Sequence, residues 1–509
     1  MKPIFRTFFQ KGKSRIRRRL DKSRDTIGRQ PMLTARNIHY DVSDKTHAIA
    51  CGGLGAIHML ARRYGLIDEI DDRLQLLKFH LPYHESDHVL AIAYNAVCGG
   101  TCLQDLELRR QDAAFLDALG ARRIPDPTTA GDFCRRFRAT DVETLFHIFD
   151  AVRQRVWAEQ PPEFFARATI DLDGTLAATT GQCKHGMDIA YDGTWGYHPL
   201  VVSLANTREV LRVINRPGNR PSHEGAARAA TQAVVRCLRA GFRQVLLRGD
   251  TDFSQTDCLD GWDAIAGVRF IFGYDAMANL VHLADELPAS AWRRLVRPAR
   301  YVVTTQPRRR PADVKGRIVT ERQFETLRLR SEEVAEFAYR PGACQQAYRM
   351  VVVRKNITRE KGEQALLDEI RYFFYLTNER EWSADEIVFS ANDRCDQENL
   401  IAQLKTGVPA LNAPMNTLES NWAYMVMTAL AWNLKAWFAL ALPAAPGRWA
   451  ERHRAEKANV LRMEFKAFRN AFVVIPCQIV KTGRKIVYRV LSWNPHADIF
   501  FRLLGKLRC

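Results

Sequence analysis

The sequence predicts a multidomain α/β protein, with an all-helical N-terminal domain and a mixed-sheet core that a β-rich insertion interrupts before its last acidic helix. Three observations lead to this class. A chain of 509 residues exceeds what one hydrophobic core organises, so several structural units are expected. Apolar residues recur at helical spacing from Leu54 to about Trp157, as in Ile57, Leu60, Ala61 and Tyr64, then Val89, Ile92, Ala93 and Ala96. From Ala166 onward the pattern changes to short strand-like runs around one helix, and between about Trp292 and Arg371 the chain is rich in Val, Thr, Tyr and Arg.

Residues 1–44 carry basic residues from Lys2 through Arg6, Lys11, Lys13, Arg15, Arg17, Arg18 and Arg19, with few periodic apolar positions, and read as a basic flexible arm. No apolar run there is long enough for a signal peptide, so export by that route is not expected. Residues 45–160 form the helical domain, suited to DNA binding or dimerisation. Within it, Asp126-Pro127 marks a helix start, and the Arg135, Arg136 and Arg138 that follow read as a solvated face with phosphate contact as the alternative. Residues 161–291 begin the core. Strands are expected at Ala166 to Leu172, Pro199 to Ala205 and Glu209 to Ile214, followed by a helix from Ser222 through Arg239 and a strand from Arg243 to Arg248. Strand, strand, strand, helix, strand is the order of an RNase H-like core, and it puts Asp173 and Asp250 at the ends of strands one and four.

Residues 292–371 form the insertion, with strand candidates Tyr301 to Thr305, Phe324 to Leu329 and Tyr348 to Val353. Residues 372–442 return to the core through a strand at Tyr372 to Leu376, a capping box of Ser383 with Glu386, and a helix running past Lys405. Residues 443–509 form a basic C-terminal region with a hairpin of Val473 to Val480 and Ile486 to Leu491. Trp422 to Pro443 is the most hydrophobic stretch. Asn433 and Lys435 sit near its middle, and a lysine there costs roughly 2.5 to 3.5 kcal/mol in lipid, so a buried helix is expected and not a membrane span.

The 75 Lys and Arg against 57 Asp and Glu give a formal charge of +18, which favours a polyanionic partner, nucleic acid first. The basic residues are spread along the chain and not gathered on one amphipathic helix, which argues against a membrane surface. Eleven irregularly spaced cysteines fit a reducing cytosol. Cys98 and Cys102 lack a second close pair, so burial is expected there and not zinc. Pro82 breaks any common helical face of His80, His84 and His88, which read as a loop entering a helix capped near Ser86 or Asp87.

Ile170-Asp171-Leu172-Asp173-Gly174-Thr175-Leu176 matches the first motif of haloacid-dehalogenase-type phosphatases, with one Asp as nucleophile and the Asp two positions later as general acid. The later acidic pair of that family has no counterpart, since position 254 is serine after Arg248-Gly249-Asp250-Thr251-Asp252. The alternative is phosphodiester chemistry, in which two metal ions roughly 3.5 to 4 Å apart activate the attacking oxygen and stabilise the leaving one. Hard Mg²⁺ prefers oxygen ligands, and a few carboxylates suffice. At about 100° per residue on a helix, Arg394 and Lys405 fall within roughly 40° of Glu398.

On these residues the chain resembles the DDE transposases of bacterial insertion sequences that carry a Tyr-x2-Arg-x3-Glu-x6-Lys signature. Arg394, Glu398 and Lys405 match its spacing, while Ala391 stands at the tyrosine position. Asp171 to Thr175 resembles the first-acid strand, Tyr191 to Val201 the glycine-aromatic stretch after it, and Arg248 to Phe253 the second-acid strand end. The acid separations, 250 − 173 = 77 and 398 − 250 = 148, are of the kind seen when a β-rich domain interrupts such a core. The resemblance implies Asp173, Asp250 and Glu398 as catalytic metal ligands and Arg394 and Lys405 as DNA contacts. Asp171 is the alternative first acid, since side chains two apart share a strand face. It further implies two Mg²⁺ ions with Mn²⁺ as a substitute, double-stranded DNA of transposon ends and target as partner, a homodimer in the DNA complex, no membrane, and a cytoplasmic, nucleoid-associated location. Trp195 and Trp262 are candidates to stack on an extruded base, with packing the expected role. A catalytically inactive, DNA-binding descendant is the remaining reading.

Overall fold

The alternating and helical runs resolve into eighteen principal elements in a computed structural model, which describes residues 3–25, 35, 38–40, 46–298, 314–361, 364–483 and 485–508. In chain order these are α1 (Pro3–Asp25), α2 (Glu85–Val97), α3 (Ala139–Ala158), β1 (Arg167–Gly174), β2 (Leu200–Leu204), β3 (Glu209–Ile214), α4 (Ala226–Arg239), β4 (Gln244–Gly249) and β5 (Val268–Tyr274). They continue with β6 (Glu325–Tyr339), β7 (Tyr348–Lys361), β8 (Gln364–Thr377), α5 (Ala384–Asn392), α6 (Cys395–Thr406), α7 (Leu418–Leu440), β9 (Cys477–Thr482), β10 (Lys485–Val490) and α8 (Ala497–Leu507). The strand expected at Tyr301 to Thr305 lies outside the described residues. The chain divides into two units, one of 163–173 with 221–398 and one of 1–162, 174–220 and 399–509.

The first of these units is built on a mixed sheet. β1, β4 and β5 run parallel, and β5 then pairs antiparallel with β8, β8 with β7, β7 with β6, and β6 with Arg293–Arg294. Helix α4 supplies the crossover before β4 and packs on it, as parallel strands require. Leu246, Ile271, Val334, Val351 and Val353 of the sheet enclose Ala384, Ile387 and Val388 of α5 in one buried cluster. The capping box at the start of α5 forms as the sequence indicates: Ser383 Oγ accepts from Glu386 N, and Glu386 Oε2 accepts from Ser383 N at 2.7 Å.

Strands β6, β7 and β8 are 15, 14 and 14 residues long, so they extend well past the short segments legible in the sequence. Their outer halves carry charged side chains instead of an apolar alternation, and cross-strand pairs such as Arg354 with Glu333 (2.8 Å) and Arg330 with Glu360 (3.1 Å) line them. Residues Phe374 to Thr377 at the inner end of β8 pair with β5. The β-rich segment is therefore continuous with the sheet through β8.

The second unit is mainly helical around α7, which is buried along its length and packs on α2 and α3. Two of its polar residues, Asn433 and Lys435, each have a partner. Asn433 brackets Val210 of β3, accepting from its N–H and donating to its carbonyl, both at 2.9 Å. Lys435 donates to the Leu461 carbonyl at 2.9 Å and lies 4.1 Å from the Trp432 ring centre. Buried Glu209 of β3 accepts from Arg153 and Trp437 on one oxygen and from Trp157 and Thr207 on the other. Four donors compensate its desolvation. Among the described residues no helix is long and apolar enough to cross a membrane.

Residues 3–25 form a helix where the sequence reading expects a flexible arm. The anchor is aromatic: Phe5 and Phe9 meet Phe501 of α8 at 5.7 and 5.8 Å between ring centres. The basic hairpin is present as β9 and β10, and β9 also pairs with Ala48–Ile49.

Asn433→Leu leaves the buried Val210 N–H without its acceptor and should destabilise the protein by about 1–3 kcal/mol, read as a lower thermal midpoint. Burial lowers the Lys435 pKa to about 7. The unfolded chain therefore holds one more proton than the folded one from that pH up to the ordinary lysine range, and this group makes stability rise with pH across the window. Thermal melts of Lys435→Met against pH should show a flatter rise than the parent.

Candidate active site

The site begins with strand register. β1 and β4 pair in parallel so that Asp171 stands opposite Arg248. The two close a buried bidentate ion pair, Arg248 Nε and Nη2 donating to the two Asp171 oxygens at 2.7 and 2.8 Å, while Nη1 donates to the Ser390 carbonyl at 2.7 Å. Two residues farther along each strand stand Asp173 and Asp250, so the register that seats the buried pair also sets these acids side by side.

Asp250 is turned by its own loop. It precedes the short helical turn Thr251–Phe253, and its Oδ1 accepts from Asp252 N at 3.1 Å, which leaves Oδ2 to face the site. Two glycines make room for this turn. A Cβ on Gly273 of β5 would come within 2.9 Å of Thr251 N and 3.1 Å of the Asp250 carbonyl carbon, and one on Gly249 within 2.6 Å of the Phe253 Cβ. Neither glycine stands out in the sequence, because the close approach comes from strand neighbours.

The third acid arrives on α6. The single helix expected past Lys405 is broken: α5 ends at Asn392, Asp393 and Arg394 form a turn, and α6 starts at Cys395. Asp396 N and Gln397 N donate to the Asp393 and Arg394 carbonyls at 3.1 and 2.8 Å, the tight three-residue spacing of a 3₁₀ turn. Glu398 stands in the first turn of α6, where a carboxylate complements the helix dipole, and its side chain is 62% exposed.

Arg394 draws the three acids together. Its Nη1 lies 3.4 Å from Asp173 Oδ2 and 3.7 Å from Asp250 Oδ2, and its Nη2 lies 3.9 Å from Glu398 Oε1. Burial pushes the Asp250 carboxyl above its ordinary value, Arg394 opposes the shift, and the nearby Asp252 and Glu398 charges add to it. Lys405 is exposed in the last turn of α6.

The other sequence candidates fall differently. Asp171 is 1% exposed and fully engaged with Arg248, whereas a phosphatase nucleophile must reach its substrate. Trp262 is a core residue that donates to Thr231 Oγ1 at 2.9 Å and packs on Phe272, while Trp195 is exposed on a small separate sheet. Ala391 lines a cavity of about 380 Å³ beside the acids, together with Asp250, Arg394, Tyr274, Phe373 and Tyr375.

The donor set suits a hard divalent cation, since three carboxylates from three separate elements turn toward one positive charge. Among the described residues no three His, Cys, Asp or Glu side chains lie close enough to ligate one ion as they stand. The guanidinium lies between them.

Acids at two strand ends and one helix start form a set of hard oxygen donors of the kind that phosphodiester chemistry uses with metal ions. The family model described as transposase DDE domain group 1 matches residues 36–509, and the chain belongs to that family. A solved piggyBac transposase synaptic complex with hairpin DNA is similar over 83% of this chain and 79% of that chain, at 12% identity and a TM-score of 0.36. No curated protein matches the sequence.

Asp171→Asn should remove the partner of a buried arginine and lower stability by about 3–5 kcal/mol, whereas Asp173→Asn should leave the thermal midpoint nearly unchanged. Melting curves of the two variants, run beside the activity assay below, separate the structural aspartate from the one in the acid cluster.

Proposed function

We propose that this transposase cuts and rejoins DNA at the ends of an insertion sequence, through an RNase H-like core in which Asp173, Asp250 and Glu398 hold two Mg²⁺ ions. One observation carries the reading: in a chain of the DDE family, three carboxylates of the expected order and spacing meet around a single guanidinium. Mn²⁺ serves in place of Mg²⁺. Bound there, such ions activate the attacking water or 3′-hydroxyl and stabilise the leaving oxygen.

The chain's own residues do the rest. Asp173 and Asp250 are held by strand register and an anchored turn, so two of the three ligands are positioned before DNA arrives. Glu398 stands on the exposed first turn of α6, accessible to the DNA side. Arg394 and Lys405 neutralise phosphates near the scissile bond, which gives affinity and salt dependence without sequence information. Recognition of the particular terminal sequence falls to the helical unit, the β6–β8 strands or the basic β9–β10 hairpin. A homodimer brings two ends together. The phosphatase reading has no matching observation, because the aspartate it needs as nucleophile is occluded by Arg248.

Cleavage of DNA carrying the element's own ends should require Mg²⁺ or Mn²⁺, and Asp173→Asn, Asp250→Asn and Glu398→Gln should each lower it by about 10²-fold or more while DNA binding persists. Full cleavage by Glu398→Gln overturns the assignment. In binding titrations against salt, Lys405→Ala should weaken affinity equally for all sequences and reduce the salt slope by about one.

A further inference from the structure

We propose that Arg394 is a built-in counter-cation for the acid cluster, which it surrenders to divalent metal and thereafter uses to hold DNA phosphate. The inference rests on the transposase reading of Asp173, Asp250 and Glu398, and adds a role that the spacing of the signature does not contain.

Two arginines of the same sheet unit illustrate the difference. Arg248 is locked: both contacts to Asp171 are at hydrogen-bond length, 2.7 and 2.8 Å, and a third bond ties it to the Ser390 carbonyl. Arg394 is shared: its three carboxylate contacts lie at 3.4, 3.7 and 3.9 Å, all longer than the roughly 2.7 to 2.9 Å of a charge-assisted bond. It lowers the mutual repulsion of three acids without committing to any of them.

Its placement suits displacement. Arg394 stands in the turn between α5 and α6, outside both helices, and lines the cavity beside Asp250. A guanidinium does not lose its charge in water-accessible protein sites, so it cannot give up the acids by deprotonating and has to move. Metal–oxygen bonds of roughly 2.0 to 2.1 Å for Mg²⁺ draw carboxylates closer than Arg394 holds them, so the two cations compete for the same oxygens. Once displaced, the guanidinium sits beside the acids with its fork free for phosphate, which links metal loading to DNA engagement.

The test is Mn²⁺ binding to the full chain without DNA, read by the electron paramagnetic resonance of free Mn²⁺. Arg394→Met should bind Mn²⁺ about tenfold more tightly than the parent or better, since an adjacent opposite charge shifts a carboxylate by one pKa unit or more. Arg394→Lys should fall between them. In EDTA, Arg394→Met should melt below the parent, and Mn²⁺ should raise its melting temperature by more than it raises the parent's. Equal or weaker Mn²⁺ binding by Arg394→Met overturns the displacement role while leaving the metal site intact. If Asp173→Asn and Asp250→Asn bind Mn²⁺ as the parent does, it is the underlying metal assignment that fails.

Discussion

The parallel register that sets Asp171 opposite Arg248 governs the rest of the sheet unit. A buried charge pair tolerates no slippage, because a one-residue shift of β1 against β4 would leave both charges unpaired in the interior. Fixing that register fixes the strand ends, and with them the side-by-side placement of Asp173 and Asp250. The bond from Arg248 to the Ser390 carbonyl extends the same constraint to α5, whose C-terminal end leads directly into the turn bearing Arg394. One buried arginine thus ties together β1, β4 and α5, and through α5 the turn that bears Arg394.

Around this anchor the acids obey a simple electrostatic rule. Three carboxylates do not gather without a positive charge among them, and the fold supplies one from the same signature that supplies the third acid. The graded exposure of the cluster follows from its scaffolding: Asp173 is the most covered, Asp250 half-buried under its turn, and Glu398 open on the helix start. The two strand-borne acids are fixed by backbone geometry, while the helix-borne acid and Arg394 depend on a two-residue turn. Adjustment to a ligand therefore belongs to the α5–α6 side of the site.

Elements whose signal is local were legible from the residues alone. Strands β3 and β4, helix α4 and the Ser383–Glu386 cap fall within a few residues of the expected bounds, because alternation, periodicity and capping chemistry act over short stretches. β5 lacks such an alternation, since Phe270, Ile271 and Phe272 are buried in succession. The outer halves of β6, β7 and β8 were missed because ion pairs with neighbouring strands, not apolar alternation, line them. The break between α5 and α6 contains neither proline nor glycine, so helical spacing ran straight through it. α1 looked like an arm because its anchor, Phe501, lies almost the whole chain away.

The sequence by itself determined the mixed α/β class, the order of the three acids and the Arg-x3-Glu-x6-Lys spacing, all of which are properties of residues near one another or of their order along the chain. It put Asp173 first and kept Asp171 as the alternative, because residues two apart share a strand face. Tertiary structure decided between their environments by placing Arg248, 77 positions later, against the first and Arg394 near the second. The same long-range pairing turned Arg394 from one residue of a helical stripe into the cation at the centre of the cluster. Which charge meets which is a matter of register and packing between distant segments, and no local pattern encodes it.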